Sequence, residues 1–403
     1  MTKRLYDLDS HQTEAESRVV SCVPAGEQFD IVLDQTVFFP EGGGQPSDTG
    51  TLGEANVSHV REEGGEIYHR VDRPLAIGAV VPGKIDWARR FDLMQQHTGE
   101  HLLSFSFYEL FSASNVGFHL ALDYATIDFD KPVTHEQITE AELLANRFVW
   151  KNLPVHATFY DSEEDVRALP LRKHAEGLVP PIRIVGVEGA DLCTCCAPHC
   201  SKTGEIGSIF VADASSYKGG TRITFFCGER ALKLHRAQHD DLDTLARRFS
   251  CQREAVAGAV KKLSDDYGTL KKSERELAKS LNGYMAAEFL QSASAAGKYR
   301  VIAQLTAGID AVRLKDLAQA ASAEKTLALL LSESEGRLLY VLSCGAGFPL
   351  DVSELMPAVN AALGGKGGGR GTLAQGTAPS TSGAKESLEQ IRSYFVKRLS
   401  DQK

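Results

Sequence analysis

Two pairs of potential metal ligands stand out in this sequence, and each pair has its members four positions apart. His97 and His101 form one pair, and Cys195 and His199 form the other. Two imidazoles one helical turn apart can reach a single metal ion, and three imidazoles with one thiolate suit tetrahedral Zn²⁺. Either pair alone is weak evidence, because histidines at this spacing also pack or cap helices. The motif is not the metalloprotease HExxH, since Thr98 stands where that motif needs Glu. Together the two pairs predict a zinc site.

Further cysteines surround the second pair. Cys193, Cys196 and Cys200 accompany Cys195, so that four of the eight cysteines fall within eight residues. Near-adjacent cysteines are poorly suited to disulfide scaffolding, and a metal site or a reactive thiol cluster is favoured. The remaining four, which are scattered singly, are interpreted as small buried hydrophobes.

Two glycine-containing motifs frame the predicted metal site. Glu41-Gly42-Gly43-Gly44-Gln45 ends a predicted strand in a triple-glycine turn, which could bring backbone N–H groups close to a ligand. Lys202-Thr203-Gly204-Glu205-Ile206-Gly207 follows the second pair directly and would form a loop beside the metal. Plain turns would explain both motifs equally well from the residues alone.

The elements that position these residues predict an α+β fold class. Residues 1–90 alternate short apolar runs with glycine turns, which favours an N-terminal small β-barrel. A helix from Arg90 carries His97 and His101 on one face. The pattern of residues 91–228 predicts an antiparallel-sheet core with helices on one face. It combines this helix with a second helix over 135–151 and with strands near 126–129, 155–160, 182–185, 208–212 and 222–227.

The back half has a different pattern. Residues 229–285 lack proline and space their leucines three and four apart, which predicts a helical hairpin or coiled coil with a bend near Gly258 or Gly268. Residues 286–403 predict a C-terminal α/β domain. Its segment 364–371 is so rich in glycine that it is predicted to be a loop rather than a helix or strand.

Composition and charge narrow the class of protein. Hydrophobic residues at 43% and charged residues at 24% exclude a mostly disordered chain. The sequence shows no signal peptide and no spanning apolar run, so a cytoplasmic protein without a membrane partner is expected. The net charge of −9 is uneven: residues 1–228 hold 19 Lys and Arg against 33 Asp and Glu, whereas residues 229–403 hold 25 against 20. Only the back half is suited to a polyanion, although a basic solvated helix face would give the same balance.

The order EGGGQ, HxxxH, CxxxH and TGEIG resembles the editing domain of alanyl-tRNA synthetases and its free-standing relatives, the alanyl-tRNA editing proteins of the AlaX type. The back half resembles the C-terminal portion of the same synthetases, so the whole chain resembles the long form of AlaX. The resemblance implies zinc-dependent hydrolysis, in trans, of tRNA(Ala) mischarged with serine or glycine, by a monomer or homodimer. Too few residues precede Glu41 for an aminoacylation domain, so a full synthetase is not expected.

The resemblance also implies roles for individual residues. The zinc ligands would be His97, His101, Cys195 and His199; Gly42, Gly43 and Gly44 would bind the substrate; and Gln45, Thr98 and His119 would be catalytic. Where the family has CGGTH, this chain has Cys195-Cys196-Ala197-Pro198-His199. Cys195 is expected to be the ligand because its spacing to His199 is the family's. Glu100 and Glu205 could accept a proton, but both are interpreted as exposed carboxylates.

Two other functions are compatible with parts of the pattern. A non-catalytic, zinc-stabilised tRNA-binding module would use the same ligands as a closed structural site. A metal-dependent phosphoesterase would need an Asp-rich centre in the front half, where none is found; the only comparable run, His239-Asp240-Asp241, lies in the helical segment.

Overall fold

The computed structural model describes residues 1–172, 180–334, 336–379 and 382–401. The chain divides into two compact units, Met1–Arg247 and Arg248–Lys403. Among the described residues, no helix combines the length and the apolar character needed to cross a membrane.

The N-terminal part of the first unit is built from eight strands. They are β1 (Lys3–Arg4), β2 (Glu14–Ala25), β3 (Gln28–Leu33), β4 (Gln35–Thr36), β5 (Gly50–Leu52), β6 (Ala55–Glu63), β7 (Glu66–Val71) and β8 (Val80–Ile85). Six of them pair in a closed ring of order β2-β3-β7-β6-β5-β8, and β1 pairs in parallel with β4. Alternate side chains, such as Ile31, Leu33 and Val60, fill the interior of the ring.

A long central helix, α1 (Trp87–Phe111), follows the ring. Asp86 caps its first turn by accepting a hydrogen bond from the Arg89 N–H, and Ser112 ends it with a left-handed φ of 52°. The helix α2 (His135–Lys151) packs beside it. Both helices contact a four-stranded antiparallel sheet of order β14-β15-β10-β9. Its strands are β9 (Asn115–Leu120), β10 (Ala125–Phe129), β14 (Ile209–Tyr217) and β15 (Gly220–Cys227).

The single antiparallel sheet predicted for this region is wrong, because the strands divide into two sheets. The second is three-stranded and consists of β11 (Val155–Tyr160), β12 (Ile182–Val187) and β13 (Leu192–Thr194). A short helix, α3 (Glu163–Arg167), lies between β11 and β12 in the chain. Ile182 and Ile184 pack in a small apolar cluster with Val166 and Leu171, separate from the core beneath α1 and α2.

Two helices span the segment predicted to be helical: α4 (Gly228–Phe249) and α5 (Val256–Gln291). The break between them lies at residues 250–255, where Ser250 has a φ of 51°. The bend predicted near Gly258 or Gly268 is wrong, since α5 runs through both residues. A glycine inside a long helix costs only about 1 kcal/mol, which the other residues can offset.

The second unit contains a six-stranded sheet of order β16-β17-β18-β19-β21-β20. Its strands are β16 (Ser294–Ala296), β17 (Tyr299–Ala307), β18 (Thr326–Ser334), β19 (Arg337–Cys344), β20 (Lys366–Arg370) and β21 (Leu373–Ala378). Among the described residues of this sheet, β17 and β18 pair in parallel and the other neighbouring strands pair antiparallel. The helices α6 (Ala311–Ala321), α7 (Val352–Leu363) and α8 (Ala384–Ser400) pack on this sheet.

The glycine-rich loop predicted within 364–371 is wrong, because most of it forms the edge strand β20 of a hairpin. A Cβ atom on Gly367 would lie 2.5 Å from the Gln375 carbonyl oxygen of the neighbouring strand. Glycine therefore allows the two backbones of this exposed edge to approach more closely than side chains would permit. The prediction failed because glycine usually weakens strands.

Candidate metal centre

The two predicted ligand pairs meet in the first unit. His97 and His101 project from the same face of α1, and Cys195 and His199 lie in the segment that follows β13. One ligand atom from each of the four lies within 4.8 Å of the others. The three histidines are buried, and Cys195 is partly buried. Residues almost 100 positions apart in sequence thus form one compact donor set.

The spacing of the donors fits a tetrahedral zinc ion. Zn–N bonds of ~2.05 Å and a Zn–S bond of ~2.3 Å place neighbouring ligand atoms about 3.3–3.6 Å apart. The Cys195 Sγ lies 3.2 Å from the Nε2 of His199 and 3.5 Å from the Nε2 of His97. The ligand types therefore suit Zn²⁺, and these two sulfur–nitrogen separations are close to those of a tetrahedral site.

Each of the three histidines is oriented through its other ring nitrogen. The Nδ1 of His97 donates to the Oε1 of Gln45 at 2.8 Å, and the Nδ1 of His101 donates to the Oδ2 of Asp191 at 2.9 Å. The Nδ1 of His199 lies 3.1 Å from the Oγ1 of Thr98. These contacts leave the Nε2 atoms free for a metal and fix the planes of the rings, which is typical of metal-binding histidines.

The position of Thr98 explains how a hydroxyl can serve as an acceptor. Its Oγ1 donates its one hydrogen to the Met94 carbonyl at 2.7 Å. The same oxygen accepts from the Cys200 N–H at 3.1 Å and from the Nδ1 of His199. Thr98 thus joins helix α1 to the segment that carries Cys195 and His199, beside the metal-facing side chains.

Electrostatics distinguish Cys195 from the neighbouring thiols. Burial opposes ionisation of Cys195, but His97 and His199 outweigh it and hold the pKa of this thiol well below its ordinary value. Burial raises the pKa of Cys196 to about 11 and that of Cys200 to about 12. Of these three thiols, Cys195 is therefore the one whose surroundings favour the thiolate, which is the form that binds zinc.

The surroundings also shift the pKa values of His199 and His101 in opposite directions. Burial lowers the pKa of His199 to about 3, against the attraction of Cys195. Burial also disfavours the charged form of His101, but Cys193 and Asp191 raise the pKa of His101 well above its ordinary value. His199 is thus already in the neutral form that a metal requires.

Asp191 connects the centre to a buried ion pair that the sequence did not suggest. Its carboxylate accepts from the Nδ1 of His101 and from Arg172, whose Nε lies 2.7 Å away. Burial opposes ionisation of Asp191, but His101 and Arg172 prevail and lower its pKa to about 2. Cys193 Sγ lies 3.5 Å from the Nδ1 of His101, so His101, Asp191 and Cys193 form a second, overlapping set of donors. No regular spacing in the sequence links Asp191 to His101, so no signal pointed to this contact.

The glycine turn borders a cavity that opens at the metal centre. Gly42 and Gln45 pair through both backbone hydrogen bonds, which turns Gln45 towards His97. Gly43 lines a cavity of about 380 Å³ with His97, His101 and Cys195. Its φ is +60°, and a Cβ atom there would lie 3.1 Å from the Cys196 Sγ. Gly44 lies against the Phe118 backbone rather than on the cavity. The turn thus supports the centre through Gln45 and borders its cavity through Gly43.

His119 is not brought to the centre. It is exposed on β9, where its ring contacts Tyr124, and it does not line the cavity. Phe118 lies there instead, with its ring 5.0 Å from that of His97. Adjacent side chains of a strand point to opposite faces, so the two residues cannot share one side.

Glu100 and Glu205 are not the exposed carboxylates expected from the sequence. Glu100 is only 4% exposed and lines the cavity, where its Oε1 accepts from Ser104 and Asn115. It lies on α1 three positions after His97 and one before His101, a proximity that the helical period could have shown. Glu205 is partly buried and pairs with His11 at 2.9 Å.

Comparison with known proteins defines the class. Residues 9–89 match the family described as tRNA synthetases class II (A), and residues 182–224 match the threonyl and alanyl tRNA synthetase second additional domain. Residues 297–399 match the DHHA1 domain. Two of the three matches are thus to families named after tRNA synthetases, and the second of these contains both Cys195 and His199.

Individual relatives identify the family. The chain is 32% identical to the alanyl-tRNA editing protein Aarsd1 of Mus musculus over 97% of each chain. It is 32% identical to the alanyl-tRNA editing protein AlaX-L of Pyrococcus horikoshii, over 93% of this chain and 94% of the relative. The chain belongs to the alanyl-tRNA editing protein family. It is also 30% identical to the alanine–tRNA ligase of Pyrococcus furiosus, of which it spans 43%.

Proposed function

We propose that this chain is a trans-editing hydrolase that deacylates tRNA(Ala) mischarged with serine or glycine. Two relatives of nearly equal length are named alanyl-tRNA editing proteins, which supports the substrate class. The observation that carries the proposal is the convergence of His97, His101, Cys195 and His199 beside a cavity of about 380 Å³.

The four residues are proposed to hold Zn²⁺. When bound, the ion would supply Lewis-acid polarisation of an ester carbonyl or of a polar group of the substrate. Gln45, Thr98 and Asp191 each keep one histidine in the tautomer and ring orientation that a metal requires. Their role in this proposal is therefore to position the ligands, and Gln45 and Thr98 do not act on the ester directly.

Glu100 supplies the acceptor that faces the cavity. Its Oε1 is held by Ser104 and Asn115, while its Oε2 lies 3.9 Å from the Nε2 of His101. A water molecule oriented by this oxygen would stand beside the ester. Since an aminoacyl ester is already activated, positioning a water and stabilising an oxyanion are the main tasks that remain.

The choice of substrate follows from what a synthetase pocket rejects poorly. A synthetase pocket for a small apolar side chain rejects an added hydroxyl poorly, so serine escapes it. For serine, a second site that requires a polar contact reverses the selection, because alanine offers no side-chain hydroxyl; glycine offers none either, so this selection applies to serine alone. Cognate Ala-tRNA(Ala) should therefore survive.

A deacylation assay tests the proposal. The zinc-loaded chain should release serine from Ser-tRNA(Ala) much faster than alanine from Ala-tRNA(Ala), and a chelator that removes the metal should abolish the release. A set of four protein ligands is also typical of closed structural zinc sites, which favours the non-catalytic tRNA-binding module as the alternative. Tight binding of Ser-tRNA(Ala) without any release of serine would support that module and overturn the hydrolase.

A further inference from the structure

The segment that precedes β2 contacts the backbone of a proposed metal ligand. The Oγ of Ser10 donates to the carbonyl oxygen of His199 at 2.7 Å, although the two residues are 189 positions apart in the sequence. The backbone carbonyl of Ser10 accepts from the Nη1 of Arg90 at 2.9 Å. Arg90 lies on α1, is fully buried and pairs with Asp48. Ser10 therefore joins helix α1 to the segment that carries His199.

The next residue, His11, holds the chain just beyond His199. Its ring packs against Trp87, the first residue of α1, with centroids 5.3 Å apart. Its Nε2 lies 2.9 Å from the Oε2 of Glu205, and its Nδ1 lies 3.0 Å from the Oγ of Ser201. The same Glu205 oxygen accepts from the Ser201 N–H at 3.2 Å. The neutral tautomer with its hydrogen on Nε2 satisfies both contacts of His11, so the three side chains form one closed network.

The ligands on α1 and the ligands after β13 are positioned in different ways. The backbone hydrogen bonds of α1 fix the two histidines of that helix, whereas residues 195–200 belong to neither a helix nor a strand. In an irregular segment, the position of a ligand depends on the individual contacts that the segment makes. Thr98 contacts the ring of His199, and Ser10 contacts its carbonyl. His199 is thus held both at its side chain and at its backbone.

We propose that Ser10 and His11 are positioning residues of the metal centre, which hold His199 where its Nε2 can reach the metal. Ser10 acts through the carbonyl of His199, and His11 acts through Ser201 and Glu205. The inference rests on the proposed function, because it takes Zn²⁺ as the group that His199 binds, but it does not require that serine be released.

The test is the zinc affinity of the full chain, measured by competition with a chelator at a temperature at which every variant is folded. Ser10→Ala should weaken zinc binding about three- to tenfold, as expected for the loss of one hydrogen bond. Ser10→Thr keeps the hydroxyl and should restore the affinity. His11→Phe keeps a ring against Trp87 but lacks both nitrogens, and it should weaken zinc binding by a similar factor.

The matched control is Thr2→Val. Thr2 is 7% exposed, and its Oγ1 donates to the Leu33 carbonyl at 2.8 Å, outside the contacts of the metal centre. Thr2→Val therefore removes a hydroxyl-to-carbonyl hydrogen bond of the same kind as Ser10→Ala does. It should lower the melting temperature of the zinc-free chain at least as much as Ser10→Ala, while its zinc affinity equals that of the unmodified chain.

Equal zinc affinity in Ser10→Ala and the unmodified chain, or an equal loss in Ser10→Ala and Thr2→Val, would overturn the inference. Serine release separates this failure from a failure of the proposed function. If the zinc-loaded chain hydrolyses Ser-tRNA(Ala) but Ser10→Ala binds zinc normally, the hydrolase stands and the positioning role does not. If Ser10→Ala and His11→Phe lose zinc affinity and Ser10→Thr regains it, but no protein releases serine, the positioning role stands and the hydrolase does not.

Discussion

The two units of the chain use their interiors in different ways. In the first unit, the buried residues include the three histidines of the metal centre, and Asp191 and Gln45, which hydrogen-bond two of them. In the described part of the second unit, the buried polar residues are Asn282, Thr326, Ser332 and Ser343, all of them uncharged, within a core of leucine, valine and alanine.

This difference shows where the chain can do chemistry. A buried ionisable group is unfavourable unless hydrogen bonds or partner charges satisfy it, so a cluster of such groups is retained only with many specific contacts. The first unit supplies those contacts from β13, α1 and the glycine turn. In the described part of the second unit, the charged residues are exposed or partly exposed, including the lysines of α5.

The largest effect is expected from a histidine of the centre. His101→Ala should lose the metal and reduce serine release to the uncatalysed rate, because one donor and its link to Asp191 disappear together. His119→Ala, which changes an exposed histidine of the same unit, is the matched control and should retain metal and turnover. Metal content and deacylation are measured on both proteins. If the two variants have the same metal content and the same rate of deacylation, His101 does not differ from an exposed histidine, and the proposed metal centre is contradicted.

A smaller effect is expected when only an orienting group changes. Asp191→Asn should weaken metal affinity about 10- to 100-fold, since the carboxylate no longer fixes His101. The control is Asp128→Asn, which alters a similar two-point ion pair with Arg222 away from the centre. Competition with a zinc chelator gives both affinities. A comparable loss of zinc affinity in the two variants would mean that Asp191 affects zinc binding only through the stability of the fold.

A side chain added to the glycine turn should lower turnover for a reason other than backbone strain. Gly43→Val and Gly64→Val both force a side chain onto a φ of +60°, and each should cost about 1–2 kcal/mol of stability. Only Gly43 has a neighbour within 4 Å of the added Cβ, namely Cys196 Sγ, so only Gly43→Val should lower kcat/KM, roughly tenfold. Thermal unfolding and deacylation are compared. Normal turnover in a folded Gly43→Val protein would leave the motif a simple turn.

The smallest effect is expected in the second unit. Lys271 and Lys272 are exposed on α5, and replacing both by Gln should make the salt dependence of tRNA(Ala) binding shallower. The slope of log affinity against log salt should fall by about one for each phosphate that the variant no longer neutralises. Lys131 and Lys151, replaced by Gln in the same way, provide the control from the first unit. Binding is measured over a range of salt. An unchanged slope in the first variant would show that these lysines do not bind the tRNA.

The sequence predicted the donors of the site better than their surroundings. The two four-residue spacings located His97, His101, Cys195 and His199, because spacing is visible in a linear sequence. Asp191 and Arg172 were missed, since their contacts depend on how β13 approaches α1. His119 was expected from the resemblance to the family, whereas the alternation of side chains along β9 turns it away from the cavity.

The fold was predicted well where the apolar period is regular. The long helix with both histidines and the sheet-forming segments of the second unit are present. The glycine-rich segment failed because its strand is stabilised by a neighbouring backbone rather than by its own side chains. The single sheet failed because periodicity within a strand says nothing about which strand it pairs with.

The most direct test of the central claim is to measure zinc per chain and serine release for Cys195→Ala and Cys193→Ala side by side. Both thiols lie near His101, and only Cys195 has a pKa held below its ordinary value by neighbouring histidines. The expected result is that Cys195→Ala loses zinc and activity together, while Cys193→Ala keeps one zinc per chain. Full zinc and full activity in Cys195→Ala, with loss of both in Cys193→Ala, would contradict the proposed metal centre.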